Sequence, residues 1–124
     1  MKEHKNLIDN NILPASVLAV SAMDYLPQIA ALKGISETYE KDNEGNKTSK
    51  LLSITYHCVN PENYHSFSVK TMNAKRIVTQ EQIEESTEVI FIEIPVKETV
   101  MKPYEVSYGK AKVSIVAPYV KLHE

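Results

Sequence analysis

The sequence predicts an all-β domain with one short helix, and the expectation rests on the order of its segments. Two strand-like runs flank the polar turn Lys41-Asp42-Asn43-Glu44-Gly45-Asn46-Lys47, and a third follows the turn Asn60-Pro61-Glu62-Asn63. A helix signal spans Thr79 to Glu85, and two more strand-like runs, Glu88 to Val96 and Lys112 to Leu122, come after it. Three strands, a helix and two strands is the order of the five-stranded Greek-key barrel called the OB-fold, whose sheet face and loops bind single strands or oligosaccharides. The expected architecture is a five-stranded OB-fold-like antiparallel barrel over residues 29–124. An N-terminal segment, residues 1–28, would pack on it. Such a fold does not by itself fix function.

Taken in order, Lys2 to Asn11 reads as a frayed terminus or short helix, and Ser16 to Ser21 as a strand or packing segment. The first barrel strand runs from Ile29 to Tyr39, with Gly34 inside it marking a bulge. The second, Leu51 to Val59, puts Leu52, Ile54, Tyr56 and Cys58 on one face and Ser53, Thr55 and His57 on the other, by the two-residue period. In the third, Phe67 and Val69 face the core while Tyr64, Ser66, Ser68 and Lys70 face out. Thr79-Gln80-Glu81-Gln82 fits a capping box, and Ile83 anchors the helix. Val89 to Ile94 is apolar on both faces and predicts a strand either covered on both sides or packed against an N-terminal segment such as Val17 to Val20. Lys97 to Gly109 reads as a long loop or protruding hairpin. The last strand carries Val113, Ile115 and Ala117, with Pro118 marking a bulge or edge. Leu52, Ile54, Phe67, Val69, Val89, Phe91, Val113 and Ile115 are the expected core.

Composition narrows the function classes. A chain of 124 residues is the size of one domain. Its formal charge of -2 supplies no global basic field, so any nucleic-acid binding rests on local patches. Arg76 stands alone among many lysines, and Lys acts as a point charge where Arg would bind phosphate in bidentate fashion. One cysteine, Cys58, excludes an intrachain disulfide and fits a reducing compartment. The apolar stretch Ile12 to Met23 is broken by Pro14 and is too short to span a bilayer. A cytoplasmic protein with no membrane partner is expected.

Catalytic readings find little support. His57, Cys58 and His65 are close in sequence, but His57 and Cys58 are adjacent on a strand and point to opposite faces. They cannot easily share an ion or form a nucleophile–base pair. Glu81, Glu84, Glu85 and Glu88 read as a solvated face, and the three glycines, Gly34, Gly45 and Gly109, form no phosphate loop. No enzyme signal, cofactor or metal emerges. The acid-free segment Lys70 to Arg76 and the stretch Lys102 to Lys112, with Tyr104 and Tyr108, instead offer lysines beside aromatics. That combination suits single strands, since cations track phosphates while rings stack bases. Soluble surface lysines and packed tyrosines are the competing reading.

The run Ile35 to Ile54, the helix near Thr79, and the ending Tyr108-Gly109-Lys110-Ala111-Lys112-Val113 through Tyr119-Val120-Lys121-Leu122 resemble a family of small proteins. These are encoded on conjugative elements and plasmids of Gram-positive bacteria and include helicase-processivity-type and other OB-fold single-stranded DNA binders. The resemblance covers the chain from about Ile29 onward. It implies sequence-independent single-stranded DNA binding in replication or transfer of a mobile element, beside a relaxase or helicase, with homo-oligomerisation left open. The expected DNA-binding residues are Thr55, His57, Tyr64, Ser66, Ser68, Lys70, Lys75, Arg76, Tyr104, Tyr108 and Lys110. The alternative is a protein-interaction adaptor that docks through a strand edge or the N-terminal segment.

Overall fold

A computed structural model describes residues 8–14, 25–72 and 75–123. The segment expected at Ser16 to Ser21 lies outside them. The elements are β1 (Ile12–Pro14), β2 (Ile29–Lys41), β3 (Lys47–Val59), β4 (Ser66–Thr71), α1 (Gln80–Glu85), β5 (Ile90–Glu93), β6 (Val100–Ser107), β7 (Lys110–Ala117) and β8 (Lys121–Leu122).

The strands form one eight-stranded mixed sheet in the order β1-β7-β4-β3-β2-β5-β8, with β6 on the other edge of β7. All pairings are antiparallel except β4 with β7, which is parallel through Lys70↔Val116 and Thr71↔Ala117. The expected five-stranded closed barrel is therefore corrected: the sheet is open. Among the described residues no ladder joins β6 to β5 or β8. The cause is local. The run Glu88 to Val96 yields only Ile90–Glu93 as strand and then turns, with Val96 N–H donating to the Ile94 carbonyl at 2.8 Å and Thr99 Oγ1 to the Pro95 carbonyl at 2.9 Å. The outer edge of β5 is then taken by β8, through Ile92↔Leu122 and Glu93↔Lys121.

Local chemistry explains the best-defined pieces. The β2–β3 connection closes on Asp42, whose Oδ1 accepts from Glu44 and Asn46 N–H at 2.9 Å each, while Gly45 supplies the left-handed residue at φ 85°. Helix α1 has the full capping box: Thr79 Oγ1 accepts from Gln82 N–H at 3.1 Å and Gln82 Oε1 from Thr79 N–H at 2.8 Å. The helix docks on β2 where the register slips between Leu32 and Gly34. There Gln80 Oε1 accepts from Ile35 N–H at 2.8 Å, and a Cβ on Gly34 would come within 3.2 Å of the same oxygen. Gly34 thus serves both the bulge and the close approach.

The chain before β1 acts as a strap between β4 and β7. Asn11 Oδ1 accepts from Ser68 N–H at 2.7 Å, its Nδ2 donates to the Ser68 carbonyl at 3.0 Å, and its own carbonyl accepts from Val113 N–H at 2.8 Å. The side-chain amide stands in for a missing peptide group where the two strands part. Asn10 and Asn11 sit at φ 52° and 59°, a region asparagine tolerates better than most residues.

Ile54, Phe67, Val69, Val113 and Ile115 are buried as expected, with Tyr56, Cys58, Ile92, Leu32, Leu13 and Ile8 around them. Leu52 and Val89 are exposed instead, at 39% and 63%. Leu52 is the extra residue of a bulge, since Thr38 pairs with Ser53 and Tyr39 with Leu51. Val89 precedes the strand. Phe91 and Ile83 are half-buried, Ile83 against the core.

Candidate functional site

The solvent face of β2, β3 and β4 carries a polar block built by cross-strand register. Ser36 pairs with Thr55 and Thr55 with Lys70; Gly34 pairs with His57 and His57 with Ser68; Val59 pairs with Ser66. Residues directly opposite on antiparallel strands share a face. Thr55, His57, Ser66, Ser68 and Lys70 are therefore brought together as the alternation implied. The Lys70 row continues across β7 to Val116 and across β6 to Val100. Five strands at about 4.8 Å spacing make that row about 19 Å long. Beside it, Lys102 pairs with Ser114.

His57 sits at the centre of this block. Its Nε2 is 2.7 Å from Ser36 Oγ and its Nδ1 2.9 Å from Ser68 Oγ, so each ring nitrogen is hydrogen-bonded to a hydroxyl. Three strands are tied by one imidazole. Ser36 is a member that the sequence reading missed. Its signal was the bulge at Gly34, which resets the register and brings Ser36 opposite Thr55.

The remaining expected residues lie elsewhere. Tyr64 stands in the β3–β4 turn at φ 62°, 81% exposed, where its N–H donates to the Asn60 carbonyl. Arg76 is committed to structure: its Nε bonds Glu37 Oε2 and its guanidinium donates to Tyr39 Oη at 2.9 Å. The Arg76 hydrogen bond, then that of Tyr39, hold the Glu37 carboxyl below the usual range, against desolvation. Glu37 follows Ser36 on β2 and so points to the opposite side of the sheet. Arg76 and Lys75 both line cavities on that side, with Tyr56 or with Glu37 and Glu81. Lys70 thus lies on one face of the sheet and Lys75 and Arg76 on the other.

Tyr104, Tyr108 and Lys110 belong to a β6–β7 hairpin whose residues 102–110 are all exposed. Tyr108 and Gly109 form its two-residue turn at φ 52° and 76°, the left-handed pair that a tight hairpin demands. Tyr108 is fully exposed and Tyr104 67% exposed, the latter as the bulged residue between the Pro103 and Glu105 pairings. Glu105 is neutralised by Lys112 at 3.1 Å.

Cys58 is buried on the core side, its thiol pushed up to about 12 by desolvation. His65 Nδ1 donates to the Ile8 carbonyl at 3.1 Å. Among the described residues no group of three or more His, Cys, Asp and Glu side chains could hold a metal ion, and no helix is long and apolar enough to cross a membrane. No family model, curated protein or solved structure matches the chain. No comparison therefore supports the resemblance drawn from the order of elements, and the open eight-stranded sheet departs from its closed five-stranded barrel.

Proposed function

We propose that the protein is a non-enzymatic module that binds single-stranded DNA across the β2–β3–β4 face and the β6–β7 hairpin. The observation that carries the reading is the register-built block Ser36, Thr55, His57, Ser66, Ser68 and Lys70, continuous with Lys102 and Ser114. The Thr55 and Ser66 hydroxyls donate to phosphate oxygens, the imidazole holds Ser36 and Ser68 in place, and the lysines neutralise charge. Tyr104 and Tyr108, held clear of the core, offer rings for base stacking. The carboxylates of Glu37 and Glu81 lie around the Arg76 cavity on the other side and do not repel a strand on this face.

Fluorescence anisotropy with a labelled oligothymidine tests the reading. Binding should weaken with salt by about -0.7 in log K per log salt for each phosphate neutralised. Replacing Lys70 and Lys102 together by Ala should flatten that slope. Tyr108→Ala should cost about 1–3 kcal/mol and leave the slope unchanged. Absence of binding by the parent protein at high micromolar concentration and low salt overturns the reading. An adaptor role would then take its place, favoured by one observation: β6 pairs only with β7 among the described residues, so its second edge is open to strand addition.

A further inference from the structure

Strand β6 lies at an edge of the sheet and pairs only with β7 among the described residues. Its free edge is broken in the middle. Pro103 offers no N–H, and Tyr104 is an extra residue between the Pro103↔Val113 and Glu105↔Lys112 pairs. The backbone groups on either side of the break point outward. Val113 N–H donates to the Asn11 carbonyl and so turns away from β6. Bonded and non-bonded pairs alternate along an antiparallel ladder, so Met101, opposite Ile115, turns its own N–H and C=O to the open side. Beyond the bulge, Ser107↔Lys110 closes the two-residue turn as a bonded pair, which leaves the Val106 N–H and C=O on the open side as well. The Val106 side chain lies on the core side of the sheet, opposite buried Ala111, yet Val106 is 56% exposed.

We infer that this edge joins a second copy of the chain, antiparallel about a two-fold axis through the break. A plain strand matches one half of β6 and loses register across the extra residue. A second copy carries the same extra residue at the same place, so both halves match. Met101 then opposes Val106 of the second copy and exchanges two backbone hydrogen bonds with it, and the axis repeats the pair. The core-side Val106 gains Met101 of the second copy as cover. On the outer face, Lys102 falls opposite Glu105 of the second copy. The two residues share that face because they pair with Ser114 and Lys112, two apart on β7. Among the described residues Lys102 makes no ion pair, while Glu105 is held by Lys112 at 3.1 Å. Each Glu105 thus gains a second cation, and this part of the outer face stays basic. Pro103 of each copy lies at the axis, where it leaves no N–H unpaired. The axis stands perpendicular to the sheet, so both copies turn their Lys70 rows to the same side.

Sedimentation equilibrium of the full chain without DNA, from about 3 to about 300 µM, tests this separately from the DNA reading. The small contact predicts a reversible dimer that dissociates at about 10–100 µM, and no larger species. Lys102→Glu should weaken it about tenfold, because it sets like charges at both cross-strand positions. Adding Glu105→Lys to that variant reverses the pair and should restore the dimer. Val106→Pro, which removes an outward donor and leaves the β7 ladder intact, should abolish it at the same concentrations. If a variant loses its far-UV circular dichroism, hydrogen exchange on the parent decides: amide protection at Met101 and Val106 that rises with concentration supports the pairing, and its absence there overturns it. The inference is also overturned by a monomer at about 300 µM, by assembly beyond the dimer, by a folded Lys102→Glu or Val106→Pro protein that dimerises as the parent does, or by a folded double variant as weak as Lys102→Glu.

Discussion

Removing the Asn11 side chain should open the seam between β4 and β7. In Asn11→Ala, Ser68 loses the acceptor of its N–H and a donor to its carbonyl. Each hydrogen bond is worth about 0.5–1.5 kcal/mol net, and a buried group left unpaired costs about 1–3 kcal/mol. The site is half-buried, so water repairs part of the loss. Alanine must also hold φ 59°, which costs about a further 1–2 kcal/mol. The expected total is about 2–5 kcal/mol, a large share of the 5–15 kcal/mol typical of a domain. Asn11→Gly removes the same hydrogen bonds without the backbone strain and should cost about 1–3 kcal/mol. Urea unfolding followed by circular dichroism measures both, with an unchanged denaturant slope as the sign that only stability moved. The Ser68 amide should lose hydrogen-exchange protection in both variants. An Asn11→Ala protein within about 0.5 kcal/mol of the parent would refute the strap.

Two further outcomes follow from titration. Glu37 is more acidic in the folded chain because Arg76 bonds its carboxylate, so between the folded and unfolded pKa values the unfolded chain binds more protons. The stability contributed by Glu37 is present above its unfolded value of about 4.3 and is lost as pH falls through the lower folded value. Glu37→Gln should be less stable at neutral pH and show a shallower acid loss in urea midpoints measured from pH 7 to pH 2; an acid limb as steep as the parent's would count against the pair. Cys58, with its thiol at about 12, should react with a disulfide reagent at pH 8 about a thousandfold more slowly than in denaturant. Rates within tenfold of each other would mean that the core is open.

The sequence was legible where the cause of structure is local. The Thr79–Gln82 box involves residues three apart, and the Gly34 bulge is a property of one glycine. The alternation of β3 and β4 placed Thr55, His57, Ser66, Ser68 and Lys70 on one face. It failed at Leu52 because the bulge there shifts the pairing with β2 by one residue, and no residue near Leu52 announces it. Strand β6 was read as loop or hairpin because its residues alternate no hydrophobic face; most are exposed, and Pro103 with the bulged Tyr104 breaks what period there is. Sheet closure was misjudged because it depends on which distant edges meet. Nothing near Ile92 shows that Leu122 will take its outer edge, and nothing near Arg76 points to Glu37. A free cation and a committed one look alike in sequence.

The pairing of β1 with β7 also sets an order of events during synthesis. Ile12 must wait for Lys112, and Ile92 for Leu122, so both ladders close only once nearly all the described chain has left the ribosome. The β2–β3 hairpin needs only the residues up to Val59 and can form while the rest is still being made. Until Asn11 finds Ser68 and Val113, the facing edges of β4 and β7 are unsealed, and a nascent chain in that state is the one a chaperone would recognise.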